Sequence, residues 1–389
     1  MKPDGASFGR CPRWRGGLRR GPAAGRSPGD DLMPLSPVTA AEALASLGSF
    51  SAIVDARSES EFALDRIPGA VNWPALNDAE RAVVGTEYAQ ASPFEARKRG
   101  AAMVARNIAS HVERHLADVP REWSPLVYCW RGGQRSGALA AVLGQIGFRV
   151  RVLEGGYRAY RRAVVEALET LPATFDLRVI CGPTGSGKSR LLQPLAAQGA
   201  QVLDLEALAE HRGSVLGLVP GSTQPSQKAF DSRIWNALSG LDPSRPVFVE
   251  SESKKIGDLR VPEALIVRMR ASPCTWLELD LSARVALLIE DYAFFLGDPQ
   301  AFCARLEPLR VLRGNEIVDR WQETARTGRA DEVVRDLLVS HYDPIYLQSM
   351  KRNFPGLAMP ARVEWDGSAS SLQAAAREAI ATAAATPRP

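Results

Sequence analysis

No apolar run in the 389-residue chain approaches the roughly 18 residues that a membrane-spanning helix requires. The longest, at 137–146 and 285–289, are far shorter, so no transmembrane helix is expected and a cytoplasmic protein is predicted. Cysteine is scarce. Cys11, Cys129, Cys181, Cys274 and Cys303, with four histidines (His111, His115, His211, His341), form no Cys-x-x-Cys pair and no other metal-ligand spacing, which excludes a structural zinc site. An odd, sparse set of thiols without a disulfide framework fits a reducing compartment. A global excess of charge is lacking too. The formal net charge is +4, and the first 32 residues supply all of it through Lys2, Arg10, Arg13, Arg15, Arg19, Arg20 and Arg26 against Asp4, Asp30 and Asp31. A polyanionic partner must therefore be met by local basic patches.

What is present is ordinary globular composition, 45% hydrophobic and 24% charged, over a length that suggests two or three domains. Residues 1–35 are rich in Gly, Pro and Arg and poor in aliphatics, so they are read as a disordered leader. That leader has no apolar segment for a secretory signal, its Pro and Gly content opposes the amphipathic helix of a mitochondrial presequence, and Met33 is an alternative start. Over 36–170, short apolar runs at 51–54 and 125–128 alternate with helical patterns such as 137–147, which predicts an α/β domain. A second α/β domain is predicted over 171–389, with strands at 177–181, 201–203, 246–249 and 276–279. It carries a helical insertion at about 283–350 and closes on a strand at 362–365 and a helix at 370–384.

Two loops carry chemistry. In Pro125-Leu126-Val127-Tyr128-Cys129-Trp130-Arg131-Gly132-Gly133-Gln134-Arg135-Ser136, a buried strand runs into a tight turn and then a helix starting near Ser136. Backbone amides, a helix N-terminus, Arg131 and Arg135 would all favour the thiolate of Cys129, making it nucleophilic near neutral pH. The same cradle suits an oxyanion. A lone cysteine is usually a small buried hydrophobe, but two Arg and two Gly after it would serve a core poorly.

The second loop, Gly182-Pro183-Thr184-Gly185-Ser186-Gly187-Lys188-Ser189, fits G-x-x-x-x-G-K-[ST] between a strand and a helix pattern. Successive amides there would cradle phosphates, Lys188 would add a charge, and Ser189 can ligate magnesium. Asp204, Glu206, Glu250 and Glu252 follow predicted strands and are candidates for Mg2+ or acid/base work, or are solvated strand ends. His211-Arg212-Gly213-Ser214 reads as a helix end with its Gly cap. Arg97-Lys98-Arg99, Arg158 with Arg161 and Arg162, and Lys254-Lys255 are solvated basic faces or contacts for nucleic-acid phosphates.

The first half resembles a rhodanese domain through Val54-Asp55-Ala56-Arg57, Glu61-Phe62, Ile67-Pro68-Gly69-Ala70-Val71-Asn72-Trp73-Pro74 and Glu154-Gly155-Gly156-Tyr157, in that order. It departs in the loop, where Arg135 lies six positions after Cys129, one more than in a common sulfurtransferase loop. That wider spacing leaves room for a tetrahedral, phosphate-bearing substrate.

With the phosphate loop, Asp204-Leu205-Glu206, His211 to Ser214, Glu250-Ser251-Glu252-Ser253 and Tyr342-Asp343-Pro344-Ile345-Tyr346, the chain resembles the bacterial tRNA 2-selenouridine synthase family. The resemblance implies replacement of sulfur by selenium in the wobble 2-thiouridine of tRNA. Selenophosphate would be the donor, and a geranylated intermediate would form from geranyl diphosphate. It implies Cys129 as selenium carrier, Arg131 and Arg135 on the donor's phosphate, and the phosphate loop with Mg2+ on the diphosphate. The competing reading is a P-loop kinase or ATPase with an attached sulfurtransferase domain.

Overall fold

The computed structural model describes residues 36–211, 223–293 and 298–386. The predicted leader, Arg212, Gly213 and Ser214 lie outside them. Two five-stranded parallel sheets organise the chain. The first contains β1 (Ser36–Val38), β2 (Ala52–Asp55), β3 (Ala70–Asn72), β4 (Pro125–Tyr128) and β5 (Arg151–Leu153) in the order β1-β5-β4-β2-β3. The second contains β6 (Asp176–Cys181), β7 (Gln201–Leu203), β8 (Pro246–Glu250), β11 (Cys274–Glu278) and β12 (Ala361–Glu364) in the order β12-β11-β6-β8-β7. A small antiparallel hairpin, β9 (Lys255–Ile256) and β10 (Leu259–Arg260), projects after β8.

Every residue of β4 and of β6 is buried, the signature of strands covered by helices on both faces. Each is the middle strand of its sheet, and each runs directly into one of the two loops. Both loops thus sit beyond the carboxyl ends of central parallel strands, where open α/β sheets bind their ligands.

One apolar cluster joins the two sheets. Tyr160 and Val164 on the Gly156–Thr170 helix pack with Ile234 and Trp235 on the Gln227–Ser239 helix, and the Tyr160 and Trp235 rings meet edge to face at 6.3 Å. The predicted helical stretch resolves into Leu281–Asp291, Pro299–Leu306, Asn315–Arg326, Ala330–Asp336 and Asp343–Asn353, with a π-helical turn at Leu337–Tyr342. Several element boundaries differ from the sequence reading, two of them notably. The helix after the cysteine loop starts at Gln134 and buries Ser136 in its first turn, and β11 begins at Cys274, paired with Val179, ahead of the apolar residues that marked it. Among the described residues no helix is long and apolar enough to cross a membrane, and Cys129, Cys181, Cys274 and Cys303 are all free thiols.

Candidate active site: a cysteine loop and a phosphate loop

Cys129 leaves β4 with 3% of its surface exposed. Its Sγ accepts from the Gly133 N–H at 3.3 Å and from the Ser136 hydroxyl at 3.1 Å. Burial pushes the thiol up, but the Ser136 hydroxyl and the amides of Ser136, Gly133 and Arg131 outweigh it, and the net shift is downward toward thiolate. Among the described residues the hydrogen bonds to the sulfur are thus one backbone amide, that of Gly133, and one serine hydroxyl.

Arg131 is exposed, and its side chain makes no hydrogen bond or ion pair among the described residues. Arg135 is differently placed, because its guanidinium donates to Glu61 at 2.8 Å. One arginine of the loop is available to an incoming anion and the other is held by a carboxylate. Nothing in the local sequence pairs Glu61 with Arg135, 74 residues away, although Glu61 belongs to the rhodanese-like pattern.

The Glu154-Gly155-Gly156-Tyr157 turn forms the floor of this loop. Gly156 has φ +57°, and a Cβ there would lie 2.2 Å from the Cys129 carbonyl oxygen and 2.4 Å from the Gly132 nitrogen. Only glycine permits that approach. The Tyr157 N–H donates to the Cys129 carbonyl at 2.8 Å, and its ring stacks on Trp130. The Asp55-Ala56-Arg57 motif is scaffold: the buried Arg57 pairs with Asp55 at 2.6 Å, donates to the Asp65 carbonyl at 2.6 Å and lies 3.9 Å from the Tyr157 ring centre.

In the phosphate loop, Gly185 and Gly187 have φ of +78° and +83°. The loop is walled by residues distant in sequence. Leu288 lies against Gly185, the Trp365 ring against Gly187, and the Trp365 Nε1–H donates to the Ser186 carbonyl at 2.9 Å. Arg284 donates twice to the Thr184 carbonyl, at 2.9 and 2.7 Å. Lys188 Nζ donates to the carbonyls of Gly182 at 3.1 Å and Pro183 at 3.5 Å. Burial alone would lower the Lys188 ammonium, but the Tyr346 phenol and the Glu250, Glu252 and Glu206 carboxylates raise it above its ordinary value.

Of the four acidic candidates, Glu206, Glu250 and Glu252 each bring an oxygen into a group within 4.8 Å of one another. The Ser189 hydroxyl lies 3.0 Å from Glu206 and 2.8 Å from Glu250. Asp204 stands apart, its carboxylate accepting from Ala207 N–H at 2.8 Å as the cap of the Leu205–Ala209 helix. Burial and the Glu206 charge push Glu252 up to about 8, and burial with the Glu206 and Glu252 charges pushes Glu250 up as well. Glu250 Oε1 is buried with no hydrogen-bond partner. Three crowded carboxylates, an orphaned oxygen and a serine hydroxyl form an all-oxygen donor set that fits a hard divalent cation such as Mg2+.

The basic clusters divide. Arg161 is spent inside the protein, donating to Asp231 at 2.9 Å and to the Lys228 carbonyl at 3.1 Å, while Arg158 and Arg162 are exposed. Lys98 pairs with Glu95, Arg99 with Glu87 and Lys254 with Glu263, all at the surface. His211 is buried beside Gly257 and Gln224 and does not belong to the group formed by Glu206, Glu250 and Glu252.

A hydrogen-bonded cysteine at the end of one parallel sheet and a Lys-Ser phosphate loop on the next define a rhodanese-like domain joined to a P-loop domain. The family models agree, with a rhodanese-like domain matching residues 39–163 and the AAA domain of tRNA 2-selenouridine synthase matching 175–307. The tRNA 2-selenouridine synthase of Nitrosomonas europaea is 32% identical over 347 residues, covering 77% of this chain and 89% of that protein. That of Bdellovibrio bacteriovorus is 32% identical over 343 residues with the same coverage, and that of Sulfurovum is 29% identical over 356 residues, covering 84% and 94%. The chain belongs to the tRNA 2-selenouridine synthase family.

Proposed function

We propose that this chain replaces the sulfur of wobble 2-thiouridine in tRNA by selenium from selenophosphate, through a geranylated intermediate made with geranyl diphosphate, in the cytoplasm. The observation that carries this reading is the pairing in one chain of a hydrogen-bonded, thiolate-favouring Cys129 with a complete Lys188-Ser189 phosphate loop. In this reading Cys129 is the nucleophile that frees selenium from its donor: the thiolate displaces selenide from phosphorus, the selenide expels geranylthiolate from C2 of the base, and water cleaves the S-phosphocysteine to phosphate. The loop amides and the unpaired Arg131 bind the donor's phosphate, and Arg135 joins them by exchanging its Glu61 partner for the anion. Gly182, Gly185, Ser186, Gly187 and Lys188 bind the diphosphate of the prenyl donor. Ser189, Glu206, Glu250 and Glu252 would hold Mg2+, whose positive charge would favour pyrophosphate as a leaving group.

Nucleoside mass spectrometry of 2-thiouridine tRNA, after anaerobic incubation with the protein, selenophosphate and geranyl diphosphate, tests both loops at once. Selenouridine is expected with the wild type and not with Cys129→Ala, and Lys188→Ala is expected to abolish geranylation. Absence of any modified nucleoside together with ATP turnover would instead favour the kinase or ATPase reading.

A further inference from the structure

The Tyr342-Asp343-Pro344-Ile345-Tyr346 segment reaches the phosphate loop at two points. Asp343 accepts two hydrogen bonds from Arg284, at 3.0 and 2.6 Å, and Arg284 in turn grips the Thr184 carbonyl. Tyr346, three residues on and so on the same face of the Asp343–Asn353 helix, turns its ring toward Lys188, whose Nζ lies 5.2 Å from the ring centre. Its hydroxyl is 2.9 Å from Ser251 Oγ. Ser251 is itself fixed, its N–H donating to the Ile180 carbonyl at 2.9 Å, and it sits in sequence between Glu250 and Glu252.

Lys188 faces a conflict that its sequence motif does not resolve. Three carboxylates crowd the same pocket, and an ammonium drawn into them would be lost to an incoming phosphate and would compete with any divalent cation held there. Among the described residues Nζ nevertheless forms no ion pair, and its hydrogen bonds go to the loop carbonyls of Gly182 and Pro183. The face of an aromatic ring attracts a cation without carrying a charge that would bind it permanently.

We propose that Tyr346 is a positioning residue for the diphosphate site: its ring holds Lys188 Nζ against the loop carbonyls and out of the carboxylate cluster, and Ser251 fixes the ring through its hydroxyl. The inference rests on the loop being a diphosphate site and adds the element that keeps its lysine available. The relevant property is the aromatic face. Phenylalanine should preserve it, and leucine should fill the space without it.

The test is calorimetric binding of inorganic pyrophosphate and of geranyl diphosphate to the full chain with magnesium, for wild type, Tyr346→Phe, Tyr346→Leu, Lys188→Ala and the Tyr346→Leu/Lys188→Ala double variant. Tyr346→Phe is expected to bind within about twofold of wild type and Tyr346→Leu about tenfold more weakly. In geranylation the leucine variant should raise KM for the diphosphate and leave kcat nearly unchanged. Adding Tyr346→Leu to Lys188→Ala should cost nothing further, because the ring acts through the lysine. Wild-type affinity in Tyr346→Leu, beside lost binding in Lys188→Ala, would overturn this inference and leave the diphosphate reading intact. Failure of the wild type to bind either diphosphate would overturn both. A thermal midpoint for each variant separates unfolding from lost affinity, and failure of phenylalanine to rescue a folded leucine variant would count against the aromatic role.

Discussion

The phenol of Tyr157 donates to Asp65 at 2.7 Å, and the same carboxylate accepts from the Ser232 hydroxyl of the second domain at 3.1 Å. Asp65 is nearly fully buried, and burial pushes it up despite its four partners, Tyr157, Arg161, Ser232 and the Arg66 amide. Because the Tyr157 backbone also holds the Cys129 carbonyl, one residue ties the cysteine loop to the interface between the sheets. Tyr157→Phe leaves the carboxylate short of a donor and is expected to cost about 1–3 kcal/mol of stability. Urea denaturation of the full chain measures it; an unchanged midpoint would mean that Asp65 does not depend on the phenol.

Cys129 should react with iodoacetamide with a pH midpoint below that of a free thiol, since its donors favour the thiolate more than burial opposes it. Ser136→Ala removes a donor to the charged form, so the midpoint should move up. A profile that does not move would assign the lowered value to the backbone amides alone.

Magnesium should matter more at high pH. A folded Glu252 keeps its proton to about 8, whereas an unfolded glutamate loses it near about 4.3. Between those values the folded state binds more protons, so this group's contribution to stability falls as pH rises through that window. A cation bound by the ionised carboxylates reverses the loss and competes with protons for the site. The expected result is a larger magnesium-induced rise in Tm at pH 8 than at pH 6; equal rises, or none, would remove the three glutamates as a cation site.

The two loops should fail separately. Gly187→Ala puts a Cβ 2.4 Å from the Trp365 ring at φ +83° and should abolish diphosphate binding without altering Cys129 alkylation. Gly156→Ala should do the reverse, spoiling the cysteine loop and sparing diphosphate affinity. The backbone strain alone costs about 1–3 kcal/mol at each position. Loss of both activities in either variant would show that the loops are structurally inseparable.

Arg161→Ala tests the assignment of that arginine to the interface. Stability should drop by about 1–3 kcal/mol through the lost Asp231 contact. The salt dependence of tRNA binding should keep its slope, because no phosphate contact is removed. A slope reduced by about one ion would return Arg161 to the RNA surface.

The sequence made the α/β pattern, the cysteine turn and the phosphate loop readable because each depends on neighbours in the chain: an apolar run, glycines, then a helix. It also brought forward Glu206, Glu250 and Glu252, though separating them from Asp204 required knowing which carboxylate caps a helix and which faces inward. The partners that decide behaviour were hidden for a different reason. Glu61 on Arg135, Trp365 under Gly187 and Arg284 on Thr184 are tertiary contacts with no local signal. Arg161 looked like part of a basic cluster because adjacent arginines read alike until one of them meets Asp231.

Trp365 also sets an order of manufacture. It follows Ser186 by 179 residues, which at ribosomal speed is roughly 10–40 s of further synthesis. The cysteine loop, by contrast, needs only the turn that ends with Tyr157. A nascent chain therefore completes the residues of its cysteine loop well before it makes Trp365, and a chain truncated between the two would lack the ring that lies against Gly187.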